Sequence, residues 1–199
     1  MTTAGSQQQP AGSAPPELIS FLRRIEGDGR LDGPARGLAT IADAVVRSPR
    51  VDDALRGAWF GHALHPMLTD FPLGAWMSAS FLDLFGGKGA RRPAQRLVGF
   101  GLLAAMPTAA AGLAEWRATG GGARRVGVVH ATVNATATLL YGSSWLARRR
   151  AAHRTAVAFG VVGGLVATTG GYFGGHLSLV RKIGTTDAAF GPDGEVLPA

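Results

Sequence analysis

The sequence contains no cysteine. Disulfides, thiolate zinc centres, iron–sulfur clusters held by this chain alone and thioether-linked haem are therefore excluded. Any redox chemistry has to use histidine or carboxylate ligands, or a bound partner. Charge is also scarce: Asp, Glu, Lys and Arg make up 17% of residues, against about a quarter in an ordinary soluble domain. Lysine is nearly missing, since eighteen of the twenty basic residues are arginine. No nucleophile–base arrangement is visible, so the chain does not read as a stand-alone enzyme. Residues 1–16, MTTAGSQQQPAGSAPP, have neither the basic start nor the apolar run of a signal peptide and read as a disordered tail.

What remains is apolar weight gathered in one part of the chain. Four apolar runs lie at about 66–85, 93–115, 126–147 and 155–180. Each has roughly the twenty residues that cross about 30 Å of hydrocarbon as a helix. The connections between them are short and rich in Gly and Arg, which makes consecutive helices antiparallel neighbours. The fold class expected is all-α: an up-and-down four-helix transmembrane bundle over 61–182, with a C-terminal tail at 183–199. Trp59, Trp76, Trp116, Tyr141 and Trp145 include several residues near run ends, where aromatic belts sit. The formal net charge of +7 does not point to nucleic acid, because the arginines cluster beside the apolar runs (Arg91, Arg92, Arg96; Arg124, Arg125; Arg148, Arg149, Arg150). That placement fits lipid headgroups. Basic residues near the helix ends number eight on one side and seven on the other, which leaves the orientation open.

Residues 17–60 form an amphipathic, partly helical extension. Leu18, Ile19, Leu22 and Ile25 share one helical face, Gly27 and Gly29 interrupt it, and Pro34 opens a second pattern with Leu38, Ile41 and Val45. Such helices either pack on the membrane surface, bind a soluble partner, or form a loosely attached polar extension.

An up-and-down bundle puts the start of the first span, the end of the second, the start of the third and the end of the fourth on one membrane face. His62, His65, Asp70, Glu115, His130 and His176 all map there; His153, in an Arg-rich turn, reads as solvated. By the helical rise, Asp70, His130 and His176 lie roughly 7–8 Å inside their helix ends. His130, Asn134, Thr138 and Tyr141 make one polar stripe; Thr168 or Thr169, Tyr172 and His176 make another. Polar groups in hydrocarbon are costly, so both stripes are expected to face the interior. Glycines spaced by four (Gly160–Gly164, Gly170–Gly174, Gly171–Gly175) let a helix or a flat ligand approach closely.

Three uses of this cluster follow. Imidazoles ligate haem iron, copper and zinc, so His130 and His176, with His62 or His65 as alternates, are candidate ligands for a b-type haem. Alternatively His62, His65, Asp70, His130 and His176 hold a metal ion, with Glu115, Asn134 and Tyr172 behind them. A second use is a polar network that only pairs helices within a scaffold or assembly subunit. A third is a proton or ion pathway through Asp70. His62-x-x-His65 precedes Pro66, which pushes His65 into a cap or loop, and it lacks the glutamate of a zinc-protease motif. Asp83 is expected to pair with Lys88 or Arg91, and Glu115 with Arg117 or Arg124 if it is not a ligand. Gly120–Gly122 is no phosphate loop, since no Lys-Ser/Thr follows.

The stretch Gly61-His-Ala-Leu-His-Pro-Met-Leu-Thr-Asp-Phe-Pro-Leu-Gly-Ala-Trp76, followed by Leu82-Asp83, resembles the signature of a bacterial membrane family called domain of unknown function 2231. In that family a G-H-P-L-H-P-x-L-x-D/H-x-P-I/L-G segment opens a four-helix membrane domain. Gly170-Gly-Tyr-Phe-Gly-Gly-His-Leu177 resembles its closing motif, and His130 matches a histidine of its third helix. The likeness covers about residues 50–187 and departs at Ala63, where proline is common. Some relatives stand beside or are fused to Rieske-type ferredoxin domains. The resemblance thus implies a multi-pass location in a bacterial cytoplasmic membrane, the histidine set and a soluble redox partner of that kind.

Overall fold

The computed structural model describes residues 16–184, so the tails expected at 1–16 and 183–199 lie almost wholly outside it. Among the described residues the chain is all-helical, with seven α-helices and no strand. Three short helices come first: α1 (Glu17–Gly27), α2 (Asp32–Val45) and α3 (Pro49–Arg56). Ser48 caps α3, its hydroxyl accepting from the Val51 N–H, and Pro49 occupies the first turn, where its missing N–H removes no helical bond. Gly57 ends α3 at a φ of +81°. A Cβ there would stand 2.1 Å from the His62 carbonyl oxygen, so only glycine fits.

These helices pack firmly on the rest of the chain. Leu22, Ala35, Ala42 and Val46 are buried. Leu22 shares a core with Val126 and Phe173, and Ala35 and Ala42 share one with Trp116 and Val128. Three ion pairs add register: Glu26 with Arg181, Asp32 with Arg125 at 2.8 Å, and Asp43 with Arg117 at 2.7 Å. Each joins an acid of the N-terminal helices to an arginine near the end of a long helix.

The long helices are α4 (Leu64–Phe85), α5 (Arg91–Arg117), α6 (Gly121–Arg149) and α7 (His153–Gly175), the last prolonged by one π turn, His176–Val180. α4 packs on α5, α6 on α7, and further contacts join α5 to α6 and α4 to α7. Two stretches, Lys88–Arg117 and His153–Val180, are long and apolar enough to cross a membrane. The other two of the expected four spans do not reach that mark, being broken by polar residues. Asp70 and Asp83 interrupt α4, while Arg124, Arg125 and a run of Thr, Ser and Asn dilute α6. All four nevertheless display exposed large apolar side chains, among them Phe71 and Phe81, Phe100 and Leu103, Leu139, and Leu165.

The expected aromatic belt is mostly core instead. Trp76, Trp116 and Tyr141 are buried. Trp76 stacks on Tyr141 with ring centroids 4.1 Å apart and planes 12° from parallel. Aromatic rings go inside here because glycines on neighbouring helices leave slots for them. A Cβ on Gly101 would lie 2.3 Å from the Trp76 ring, and one on Gly163 would lie 3.2 Å from Tyr141.

The centre of the long helices repeats itself. His65 of α4 meets His130 of α6, Trp76 meets Tyr141, and Asp83 meets Arg148. The two members of each pair stand 65 residues apart in the chain. The glycine slots repeat too, Gly101 with Gly163 and Gly112 with Gly174. Hairpins α4–α5 and α6–α7 thus face each other as two versions of one unit, across an approximate two-fold axis running along the helices.

Asp83 does not pair with Lys88 or Arg91. It receives two parallel bonds from Arg148, at 2.9 and 2.5 Å. Both side chains are nearly inaccessible, at 4% and 3% exposure. The C-terminal ends of α4 and α6 converge at this point, whereas Lys88 and Arg91 lie beyond the turn. Removing one partner strands a buried charge, so Asp83→Ala should cost about 3–5 kcal/mol. The paired apolar replacement Asp83→Leu with Arg148→Met should cost much less. Thermal unfolding of both variants in detergent measures the difference.

Candidate functional site

The site begins at the first turn of α4. Pro66 does not push His65 into a loop: α4 starts at Leu64, so His65 and Pro66 both lie in its opening turn. The N–H groups of a first turn have no acceptor within the helix, so proline is tolerated there. From this position the His65 ring reaches α5, with Nδ1 2.8 Å from the Thr108 carbonyl oxygen. It lies against Gly112, where a Cβ would come within 2.8 Å of the ring. Pro72 tightens the same contact. Lacking an N–H, it leaves the Leu68 carbonyl without its helical donor, and the Thr108 hydroxyl, 3.1 Å away, supplies one while also lying 2.8 Å from Ala104 O.

His130 on α6 repeats the arrangement against α7. Its Nδ1 stands 3.0 Å from the Gly170 carbonyl oxygen, and a Cβ on Gly174 would meet its ring at 3.0 Å. The Asn134 amide lies 3.2 Å from both ring nitrogens and 3.0 Å from the His130 carbonyl. The His65 and His130 rings contact each other edge to face, with centroids 6.2 Å apart and planes at 86°.

A carbonyl only accepts, so each Nδ1 carries the proton and each Nε2 keeps its lone pair. A backbone carbonyl that fixes the far nitrogen is the usual support of a metal-ligating imidazole. The Nε2 of His130 in turn lies 3.2 Å from the Asn134 amide, which can donate to it. A porphyrin is a poorer fit. It has to lie flat between two axial nitrogens, and here the rings touch each other and rest on glycine backbone, so α4 and α6 would have to part.

The other expected ligands lie elsewhere. His62 is exposed and edge-on to Phe60, with centroids 6.0 Å apart. Asp70 is exposed on α4. His176 turns to the N-terminal helices, its Nε2 2.9 Å from Glu26 Oε1. Among the described residues, no three His, Asp or Glu side chains gather closely enough to share a metal ion. Glu115 is half-buried and pairs with neither expected arginine. Arg117 is taken by Asp43, and Arg124 sits over the Trp116 ring, 4.3 Å from its centroid. Apart from His176, the polar stripe expected on the last span faces outward: Thr168, Thr169 and Tyr172 of α7 are exposed. The two threonines satisfy their hydroxyls on carbonyls four residues back, Gly164 and Leu165, and so need no interior partner.

Sequence reasoning missed Glu26, Thr108 and Gly112. Glu26 carries a signal only in three dimensions. Thr108 and Gly112 had one in the chain: their separation equals that of Gly170 and Gly174, which serve His130 in the same way.

A family model described as "Predicted membrane protein (DUF2231)" matches residues 61–187. No curated protein and no solved structure matches the chain.

The Arg181 guanidinium, and after it His176, hold the Glu26 carboxyl below the usual glutamate range against the opposing effect of burial. A depressed folded-state value means that the stabilisation is fully present above the unfolded value of 4.5 and is lost as pH falls through the folded one. Hydrogen exchange in α1 should therefore accelerate as pH drops below that range, after correction for the intrinsic rate. Glu26→Gln should exchange faster at neutral pH and lose this acid step. Separately, Gly112→Val and Gly174→Val should each evict a histidine ring, visible as a shift of the imidazole resonances of His65 or His130.

Proposed function

The chain belongs to the DUF2231 family of predicted membrane proteins, and on that premise we propose that it is a multi-pass protein of the bacterial cytoplasmic membrane that holds a transition-metal ion on His65 and His130. All four long helices cross the bilayer in this reading, including α4 and α6 with their polar interruptions. Its support is the outward apolar side chains on each helix and the polar groups that meet at the centre. The share of the two most apolar stretches that is buried is only 28% and 33%, unlike the core helix of a water-soluble domain.

The observation that supports the metal reading is the pair of Nδ1–carbonyl bonds, at 2.8 and 3.0 Å, which leave each Nε2 its lone pair; an ion on His130 would displace the Asn134 amide from that nitrogen. Imidazole nitrogen suits copper, zinc, iron and nickel. With only two ligands from the chain, such an ion keeps open positions, and a copper or iron ion supplies one-electron chemistry there. A b-type haem is the alternative occupant of the same imidazoles. A soluble redox partner, such as a Rieske-type ferredoxin, would meet α1–α3 first, because α1 and α2 are tied to the ends of α5, α6 and α7 on the histidine side and α3 packs on α5.

Elemental analysis and an optical spectrum of the purified full chain test this. About one copper, zinc, iron or nickel ion per chain is expected after growth in supplemented medium, falling to background in His65→Gln and His130→Gln. A Soret band in a haem-supplied preparation would assign haem instead. Neither ion nor Soret band removes the cofactor reading.

A second reading rests on the same bonds. Each histidine also ties its helix to a neighbour's backbone, as a non-enzymatic scaffold requires. If that is their whole role, His130→Gln lowers the unfolding temperature by the equivalent of about 1–2 kcal/mol, equally with and without added metal.

A further inference from the structure

At the other end of the long helices, the first residues of α5 and α7 meet the last turn of α6. Arg91, Arg92, Gln95, Arg148, Ala151 and His153 line a cavity of about 210 Å³ there. His153, expected to be simply solvated, is half-buried in its wall. Three guanidiniums converge with no carboxylate among the lining residues. Asp83 balances Arg148 alone. Arg91 and Arg92 enter no ion pair among the described residues.

Two independent features point to a bound anion. Arg148 has a side chain 3% exposed, and both its terminal nitrogens are spent on Asp83. Its Nε is buried without a hydrogen-bond partner among the described residues. Native structures rarely leave such a donor orphaned unless something else is meant to meet it. The second feature is charge: Arg91 and Arg92, at the start of α5, line the same cavity with no carboxylate to balance them among the described residues. Guanidinium groups and an amide donor are the chemistry that recognises a phosphate group.

We propose that this cavity binds a phosphate group, presented either by the headgroup of an anionic phospholipid or as a free phosphate. The surrounding Lys88, Arg96, Arg149, Arg150 and Arg154 raise the local concentration of either anion. The membrane reading bears only on which source supplies the phosphate, and the histidine pair at the opposite end plays no part.

The test uses the full chain and two double variants with equal loss of charge. Arg91→Gln with Arg92→Gln removes exposed cavity residues and leaves the Asp83–Arg148 pair intact; Arg149→Gln with Arg150→Gln lies outside the cavity. Native mass spectrometry after release from nanodiscs of mixed phosphatidylglycerol and phosphatidylcholine counts retained lipid. Thermal unfolding in detergent with and without inorganic phosphate reads the free anion. Selective retention of phosphatidylglycerol, weakened roughly tenfold or more in the cavity variant and little in the control, supports the site with lipid as its source. Stabilisation by phosphate that only the cavity variant loses, without lipid retention, supports it with free phosphate. No response to either probe, or equal weakening in both double variants, overturns it.

Discussion

The long helices depend on flat rings lying against backbone that carries no side chain. His65 rests on Gly112, Trp76 on Gly101, His130 on Gly174 and Tyr141 on Gly163. Where lipid surrounds helices there is little hydrophobic gain in bringing them together, so close packing and interhelical hydrogen bonds have to hold them. The glycine slots provide both. They let the rings sink between helices, and at the histidines they expose the carbonyls of Thr108 and Gly170 to the ring nitrogens. The metal reading and the scaffold reading start from this single arrangement.

Helix class and the end at which each histidine lies were legible in the sequence, since both follow from rise per residue and the placement of apolar runs. Rotation about each helix axis was not. Asp70 and His130 sit at similar depth, yet one is exposed and the other touches His65. Thr168 and Thr169 misled because a hydroxyl can return its proton to its own helix, so polarity alone does not turn a threonine inward. The tryptophans misled in the opposite sense, since slots on other helices decide whether a ring near a helix end is belt or core. Asp83 found Arg148 rather than a neighbour in sequence because helix ends that converge outrank residues that follow one another. One pattern could have been read directly: His65, Trp76 and Asp83 are spaced as His130, Tyr141 and Arg148 are.

The two ends of the molecule differ in how they are closed. At the histidine end, α1 and α2 are fastened by Glu26, Asp32 and Asp43 to Arg181, Arg125 and Arg117. The acids come from the N-terminal helices and the arginines from the long ones, so each of these three arginines has its own carboxylate. At the other end no such helices supply carboxylates, and Arg91 and Arg92 stay exposed around the cavity. Among the described residues the excess positive charge is therefore greater at the end away from the histidines.

The buried Asp83–Arg148 pair also decides which hairpins can associate. Two copies of α4–α5, placed as the hairpins are here, would set aspartate against aspartate; two copies of α6–α7 would set arginine against arginine. Like charges that close and that dry repel strongly, so each half is barred from pairing with itself. A chain synthesised in a crowded membrane beside others of its kind thus carries its own proofreading. Only unlike halves can close the centre, and the nearest unlike half is always the one on the same chain.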